Sequence, residues 1–416
     1  MLPEGWSRCR LGDLMAFRNG LNYTRNESGE CIKVVGVSDF RARTVLDGAA
    51  GLDTVALRDR VGPQDLLQAG DLLFVRSNGN KALVGRCLFV ARLDEPVTFS
   101  GFTIRGRVTS PRLDPAFASE LMRTARTVAQ MHLGGSGTNI SNLSQDILQN
   151  VEVCLPGVGE QRRIVRVLAT WREAIDATDS LLENARREKH DLMQALLSGR
   201  VAALQQRGAW EQVEFDDVFE RVARKNDEGS SNVLTISAQH GLVSQRDFFH
   251  KNVASEDLSH YTYLSTGDFA YNKSASAGYP VGAIKPLVAH DSGVVSSLYI
   301  CFRQRSDAQV DADFYRHYFE AGMLNEPIGF IAQEGARNHG LLNVSVKDFF
   351  KLPLHLPPLP VQRRIAEVLG VAEDYEHSVA AQARALRDEL GALREDLLSG
   401  QRRLRPVEEP GEPCPR

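Results

Sequence analysis

Two stretches of the chain share one pattern of apolar and polar positions. Stepping by four and then three from Ile164 lands on Leu168, Trp171, Ile175, Thr178, Leu182, Ala185, Lys189, Leu192 and Leu196. The same stepping from Ile365 lands on Leu369, Ala372, Glu376, Val379, Ala383, Leu386, Leu390, Leu393 and Leu397. Four-three alternation sustained over several heptads predicts a coiled-coil seam, and the positions between are rich in Arg, Glu, Asp and Gln, as a solvated face requires. Pro156 or Pro360 precedes each run and Ser-Gly ends it, which are ordinary start and stop signals. At ~1.5 Å per residue, a helix of roughly 38 residues extends about 57 Å. A long helix with a narrow apolar stripe needs a partner, and the duplicated copy is the nearest. The pattern therefore predicts two long helices; if the halves are related by a two-fold-like axis, the helices run antiparallel and act as a spacer.

The helices belong to a larger repeat. Leu155-Pro156 matches Leu356-Pro357, Gln161-Arg162-Arg163-Ile164 matches Gln362-Arg363-Arg364-Ile365, and Leu196-Leu197-Ser198-Gly199 matches Leu397-Leu398-Ser399-Gly400, all without a gap. Asn142-Leu143-Ser144 and Asn343-Val344-Ser345 keep the same offset. Further upstream the offset changes. GDLLFV from Gly70 matches GDFAYN from Gly267, Val84-Gly85 matches Val281-Gly282, DPAF from Asp114 matches DADF from Asp311, and the opening LPEGWSRCRLGDL resembles RGAWEQVEFDDVF from Arg207. A repeat this long makes each unit a domain rather than a solenoid turn. The order is variable block, helical segment, variable block, helical segment. Arg162-Arg163 and Arg363-Arg364 fall in the first turns of their helices, where the dipole disfavours cations, so an offsetting carboxylate or partner is expected there.

Composition narrows the class. The 416 residues are 43% hydrophobic and 25% charged, and no apolar run is long enough to span a bilayer. The first residues lack the apolar centre of a signal peptide, and Cys9, Cys31, Cys87, Cys154, Cys301 and Cys414 form no CxxC pair. A cytoplasmic protein without a disulfide scaffold or zinc site is expected. Charge is uneven: residues 1–150 carry 18 basic and 15 acidic side chains, residues 201–350 carry 13 and 19. Nothing suggests catalysis. There is no phosphate loop, GGSGTN lacks the lysine such a loop needs, the histidines show no HExxH spacing, and the lone Pro-Pro lies in LPPLP rather than beside an Asn and an aromatic ring. EFDDVFE reads as a solvated face.

The ordered set, a block ending in N-(L/V)-S, then LPxxxxQRRI, a long helix and LLSG, all twice, resembles the specificity subunit of type I restriction-modification systems from about Leu2 to Gly400. That resemblance implies an α/β fold: two α/β target-recognition domains in tandem pseudo-repeat, separated by two long antiparallel coiled-coil helices. The corresponding segments are 1–154, target-recognition domain 1; 155–200, spacer helix 1; 201–355, target-recognition domain 2; 356–401, spacer helix 2; and 402–416, a Pro- and charge-rich tail expected to be disordered. It implies a DNA specificity subunit with no catalysis or cofactor of its own, reading a bipartite asymmetric sequence in double-stranded DNA. Its partners would be two methyltransferase subunits using S-adenosylmethionine and, through them, restriction subunits using ATP and Mg2+. No membrane is involved. The competing class is a non-enzymatic scaffold whose helices join two interaction domains.

Base readout needs polar side chains on elements that reach base edges, and loops between strands are natural carriers. In the first block these are Arg76, Ser77, Asn78, Asn80 and Lys81. The equivalent loop of the second block offers Asn272, Lys273, Ser274, Ser276 and Tyr279. A second pair of loops contributes Ser136, Thr138 and Asn139, and Arg337, Asn338 and His339. The two sets carry different donors, so the half-sites should differ. Gln161, Arg162, Arg163, Gln362, Arg363 and Arg364 are the candidate partner-binding residues. DNA affinity rests largely on phosphate neutralisation, so an acidic second block predicts weak binding by the chain alone and tight binding in a complex.

Overall fold

The computed structural model describes residues 3–23, 29–57, 61–133, 142–199, 210–237, 241–246, 257–276, 278–334 and 342–404. The fold is mixed α and β, and the chain divides into two compact units, Met1–Thr178 with Gln382–Arg416, and Asp179–Ala381. Both boundaries fall within long helices, Val158–Leu197 and Leu359–Ser399, of 40 and 41 residues.

The first unit is built on a five-stranded sheet in the spatial order Met15–Asn19, Thr103–Val108, Leu72–Val75, Cys87–Arg92, Val45–Asp47. Its pairings are antiparallel except the last. A three-stranded sheet, Asp53–Leu57, Glu30–Val35 and Val97–Phe99, stands beside it, and Ser7–Arg10 pairs with Glu152–Leu155. The second unit repeats the order of the first four strands with Phe219–Arg221, Ile300–Gln304, Phe269–Asn272 and Ala283–Pro286, and repeats the entry pair with Glu211–Glu214 and Pro353–Leu356. The GD motif shared by the two units has a backbone cause. Gly70 and Gly267 turn with φ of 90° and 89°, conformations that favour glycine. The next carboxylates, Asp71 and Asp268, then close the turn by accepting from Gln68 N at 2.8 Å and Ser265 N at 2.9 Å.

Each unit packs the beginning of one long helix against the end of the other. In the first, Ile164, Leu168 and Ile175 share a core with Leu390, Leu397 and Leu398. Glu160 accepts from Arg403 at 2.7 and 2.8 Å, and buried Glu120 receives both Arg172 and Arg394. Moving up one helix means moving down the other, so the segments are antiparallel within this unit. In the second, Met193 and Leu197 join Val361, Ile365 and Leu369, while Arg186 and Lys189 pair with Glu376. Lys189 and Glu376 both occupy predicted seam positions, and a charged pair in an apolar stripe fixes register more than it adds stability.

The seam departs from the expected spacing in one place. The first copy follows it from Ile164 to Ala185, then buries Met193 and Leu197 and leaves Leu192 39% exposed. Straight helices turn every 3.6 residues rather than 3.5, so a strict heptad face drifts away over this length. The tail also begins with structure: Arg403 is ion-paired to Glu160, and residues 405–416 lie outside the described set.

Candidate nucleic-acid interface

The candidate loops extend from equivalent strand ends. Leu72–Val75 runs into Arg76, and Phe269–Asn272 runs into Lys273. Arg76, Ser77 and Asn78 are half-buried, whereas Gly79, Asn80 and Lys81 are exposed. Asn78 Oδ1 accepts from Asn80 N at 2.8 Å, and Asn80 Oδ1 from Ala82 N at 3.1 Å, so both side-chain oxygens shape the turn. In the second unit Asn272 Oδ1 accepts from Ser274 N at 3.2 Å, and Ser276 and Tyr279 exchange backbone hydrogen bonds at 3.1 and 2.9 Å. Turn-making thus occupies part of the polar inventory in each set.

The structure brings the second pair of loops alongside at their described ends. Arg76 O accepts from Leu143 N at 2.7 Å, and Ser77 bridges Asn142. Lys273 O accepts from Leu342 N at 3.0 Å. Ser136, Thr138, Asn139, Arg337, Asn338 and His339 themselves lie outside the described residues. A cleft of about 590 Å³ opens beside the first loop, lined among others by Asn22, Ser38, Asp53, Ser77, Asn78 and Phe102.

Tyr279 does not stand in its loop as a free side chain. Its hydroxyl donates to Glu320 Oε1 at 2.5 Å and accepts from Lys285 Nζ at 3.0 Å, and Lys285 is paired with Glu320. Burial and the neighbouring carboxylate both push the phenol upward, so it stays protonated. It anchors the loop to the sheet and to the helix Ala312–Glu320.

The repeated QRRI motif acquires a physical meaning. Gln161 and Gln362 are fully buried. Gln161 Oε1 accepts from Asp114 N at 2.8 Å, while its Nε2 donates to Arg112 O at 2.8 Å and Pro156 O at 2.9 Å. Gln362 makes the same set, to Asp311 N at 2.8 Å, Pro357 O at 2.7 Å and Gln309 O at 3.4 Å. Both amides are consumed within their own units and are inaccessible to another chain, which corrects their placement among partner-binding residues. Asp114 and Asp311 in turn cap the helices of the DPAF and DADF motifs. The arginines are more open. Arg162, Arg363 and Arg364 are exposed and Arg163 is half-buried. Arg162 lies 3.6 Å from the Asp114 carboxylate, and Arg364 pairs with Glu367 at 2.6 Å. These carboxylates supply the expected offset to the helix dipole for one arginine of each pair.

Sequence reading missed a pair of turns. Ser100–Thr103 and Ser296–Tyr299 close with Thr103 N donating to Ser100 O at 2.8 Å and Tyr299 N to Ser296 O at 3.0 Å. The serine hydroxyls accept from Phe102 N at 3.2 Å and Leu298 N at 3.4 Å. Phe102 and Leu298 are 62% and 60% exposed. The signal was present as Ser-x-apolar between two strands, but nothing in sequence says that the apolar residue faces solvent.

Among the described residues no group of three or more His, Cys, Asp or Glu side chains could hold a metal ion, and no helix is long and apolar enough to cross a membrane. No protein-family model matches the chain. Curated relatives do. The chain is 22% identical over 453 residues to the type I restriction enzyme EcoKI specificity subunit of Escherichia coli K12, covering 96% of this chain and 93% of that protein. It is 21% identical to the StySPI specificity subunit of Salmonella potsdam over 48% of this chain and 43% of that one. Among solved structures, the HsdS subunit of Thermoanaerobacter tengcongensis matches with a TM-score of 0.51 at 17% identity, covering 96% of this chain and 98% of that one. A chain from a structure of type I restriction-modification complex assembly matches with a TM-score of 0.57 at 15% identity and the same coverage. From one end to nearly the other, this chain is similar in sequence and in fold to the specificity subunits of type I restriction-modification enzymes.

Proposed function

We propose that the chain is the DNA-specificity subunit of a type I restriction-modification enzyme. One observation carries this reading: two copies of one strand order present unlike polar loops at equivalent strand ends. A scaffold that duplicates its framework while changing its donors and acceptors is suited to reading two different half-sites on one duplex. The target is a bipartite, asymmetric sequence, read by target-recognition domains within 1–154 and 201–355. The contacts come from Arg76, Ser77, Asn78, Asn80 and Lys81 on one side and Asn272, Lys273, Ser274 and Ser276 on the other, with the adjoining loops. The long helices form an antiparallel coiled coil that spaces the two domains.

The chain performs no chemistry in this reading. Two methyltransferase subunits holding S-adenosylmethionine dock on it, and, where the system has restriction subunits, these attach through them with ATP and Mg2+. Arg162, Arg163, Arg363 and Arg364 are the candidate partner contacts that remain once the buried glutamines are set aside.

The test is methylome sequencing of a host expressing this chain with its cognate methyltransferase subunit, against a host lacking the chain. A new methylated motif of two unlike half-sites at fixed spacing is expected. No new motif, given an assembled complex and an active methyltransferase, would favour the scaffold instead.

A further inference from the structure

The Ser100–Thr103 and Ser296–Tyr299 turns are equivalent by strand register. Leu72 pairs with Gly106 and Phe74 with Ile104; Phe269 pairs with Phe302 and Tyr271 with Ile300. The first ladder carried outward sets Arg76 opposite Phe102; the second ends at Tyr271–Ile300, and the same register carried two residues further would set Lys273 opposite Leu298. The first juxtaposition is made directly, since Arg76 N donates to Phe102 O at 2.8 Å and its Nη1 to Gly101 O at 3.4 Å. Both blocks therefore hold a large exposed apolar side chain in the same serine-closed turn, opposite Arg76 in the first and, by register, near Lys273 in the second.

Exposing an apolar side chain of this size forgoes burial that stabilises folded chains, so isolated cases are unremarkable. The repetition is not isolated. The framework preserves the turn, the serine bond and the exposure while the apolar residue itself changes from Phe to Leu. The turn geometry holds it away from the core, because the serine hydroxyl and the closing backbone bond fix the backbone on both sides. An apolar surface flanked by a cation fits a nucleic-acid duplex: the cation meets a phosphate and the apolar group meets the base stack. Phe and Leu are among the side chains that wedge between base steps and unstack them.

We propose that Phe102 and Leu298 are wedges, each inserting at a base step within or beside its own half-site when the complex binds DNA. This rests on the DNA-reading function proposed above and deepens it. Arg76 and Lys273 hold the adjacent phosphates, so the kink is formed by a paired grip and wedge in each block. A protein-binding tip would also carry exposed apolar residues. The pairing with a cation at both sites, beside the Asn- and Ser-bearing loops, favours the duplex.

The test uses the complex of the full chain with its methyltransferase subunits and the target defined by methylome sequencing. 2-Aminopurine is placed singly at successive positions of each half-site, because its fluorescence rises when a neighbour is unstacked. Wild-type complex is expected to brighten one step in each half-site. Phe102→Ala should abolish the signal in the first half-site alone and weaken binding about 10-fold, the scale of losing one aromatic contact with a base. Leu298→Ala should abolish the signal in the second alone, and Phe102→Trp should retain the signal. Tight target binding with every reporter silent overturns the wedge while leaving the DNA reading intact. Loss of the methyltransferase subunits from either alanine variant overturns it in favour of a protein contact. Absence of any DNA target removes both readings together.

Discussion

Gln161→Ala is the sharpest probe of why QRRI is written twice. The side chain is fully buried and makes three hydrogen bonds, at 2.8, 2.8 and 2.9 Å, to backbone groups of Asp114, Arg112 and Pro156. A buried hydrogen bond contributes about 1 kcal/mol net, and partners left unsatisfied cost about 1–3 kcal/mol each, so a loss of about 3–5 kcal/mol is expected. Gln362→Ala removes two short bonds and a third of 3.4 Å, and should cost about 2–4 kcal/mol. Those are large fractions of a domain's stability. The losses should be local. Hydrogen exchange during denaturant titration should show Gln161→Ala weakening amides around Asp114–Leu121 and Glu152–Leu168, and Gln362→Ala weakening those around Asp311–Glu320 and Pro353–Leu369. Gln161→Met controls for volume: it fills the space but leaves the same backbone groups unpaired, so it should rescue little. A loss under about 1 kcal/mol for both alanine variants, or full rescue by methionine, would refute the staple and return these amides to the partner surface.

Three further outcomes follow from other parts of the fold. Gly199 and Gly400 end the long helices at φ of 69° and 77°, and alanine at either should cost about 1–2 kcal/mol for the left-handed backbone. Gly400→Ala should be worse in thermal unfolding, because its Cβ would lie 2.5 Å from Pro3 while that of Gly199 only touches Trp210 at 3.4 Å. His317 is held down to about 4 by burial first and the Arg316 guanidinium second, against the opposing charges of Glu373 and Asp313. The unfolded chain therefore takes up this proton near its ordinary value of about 6.5 while the folded chain does not, so stability falls as pH drops from there to about 4, by at most about 3 kcal/mol. His317→Asn should flatten that part of the pH profile, and an unchanged slope would assign it to carboxylates. Finally, under the proposed function, one heptad added to both long helices should lengthen the spacer of the methylated motif and leave both half-sites unaltered; unchanged spacing would refute the helices as the element that sets it.

What sequence revealed here is what repeats. The four-three stepping located both long helices because a seam must recur to be buried, and it lost the face only where the drift of a straight helix accumulates, at Leu192. The matches GD, DPAF with DADF, and QRRI were visible as letters, but their roles needed coordinates. The carboxylate that closes a turn, the aspartate that caps a helix and the glutamine that staples that cap lie far apart in the chain. Tyr279 read as a loop-tip donor because its partners Glu320 and Lys285 are 41 and 6 residues away. Phe102 and Leu298 are not singled out in the sequence at all, since side-chain direction at a turn depends on a backbone that sequence specifies only loosely.

The offsets of the repeat carry one more consequence. They vary across the blocks but stay constant, without a gap, from Asn142 through the end of the helix. Block loops can gain or lose residues at little entropic cost. The helical segment cannot, because its two ends answer to different constraints. Its start must place a glutamine under the cap of its own block, and its end must place a positive-φ glycine where a side chain would meet a tryptophan: a Cβ on Gly199 would meet Trp210, and one on Gly400 would meet Trp6. Each compact unit thus takes the start of one helix and the end of the other. One inserted residue between these anchors would rotate the later one by about 100° around the helix, turning the glycine away from its tryptophan and the seam away from its partner. The constant offset is the trace of that double anchoring. Freedom to change was left to the loops, which can diverge between the two units without altering the frame that holds them.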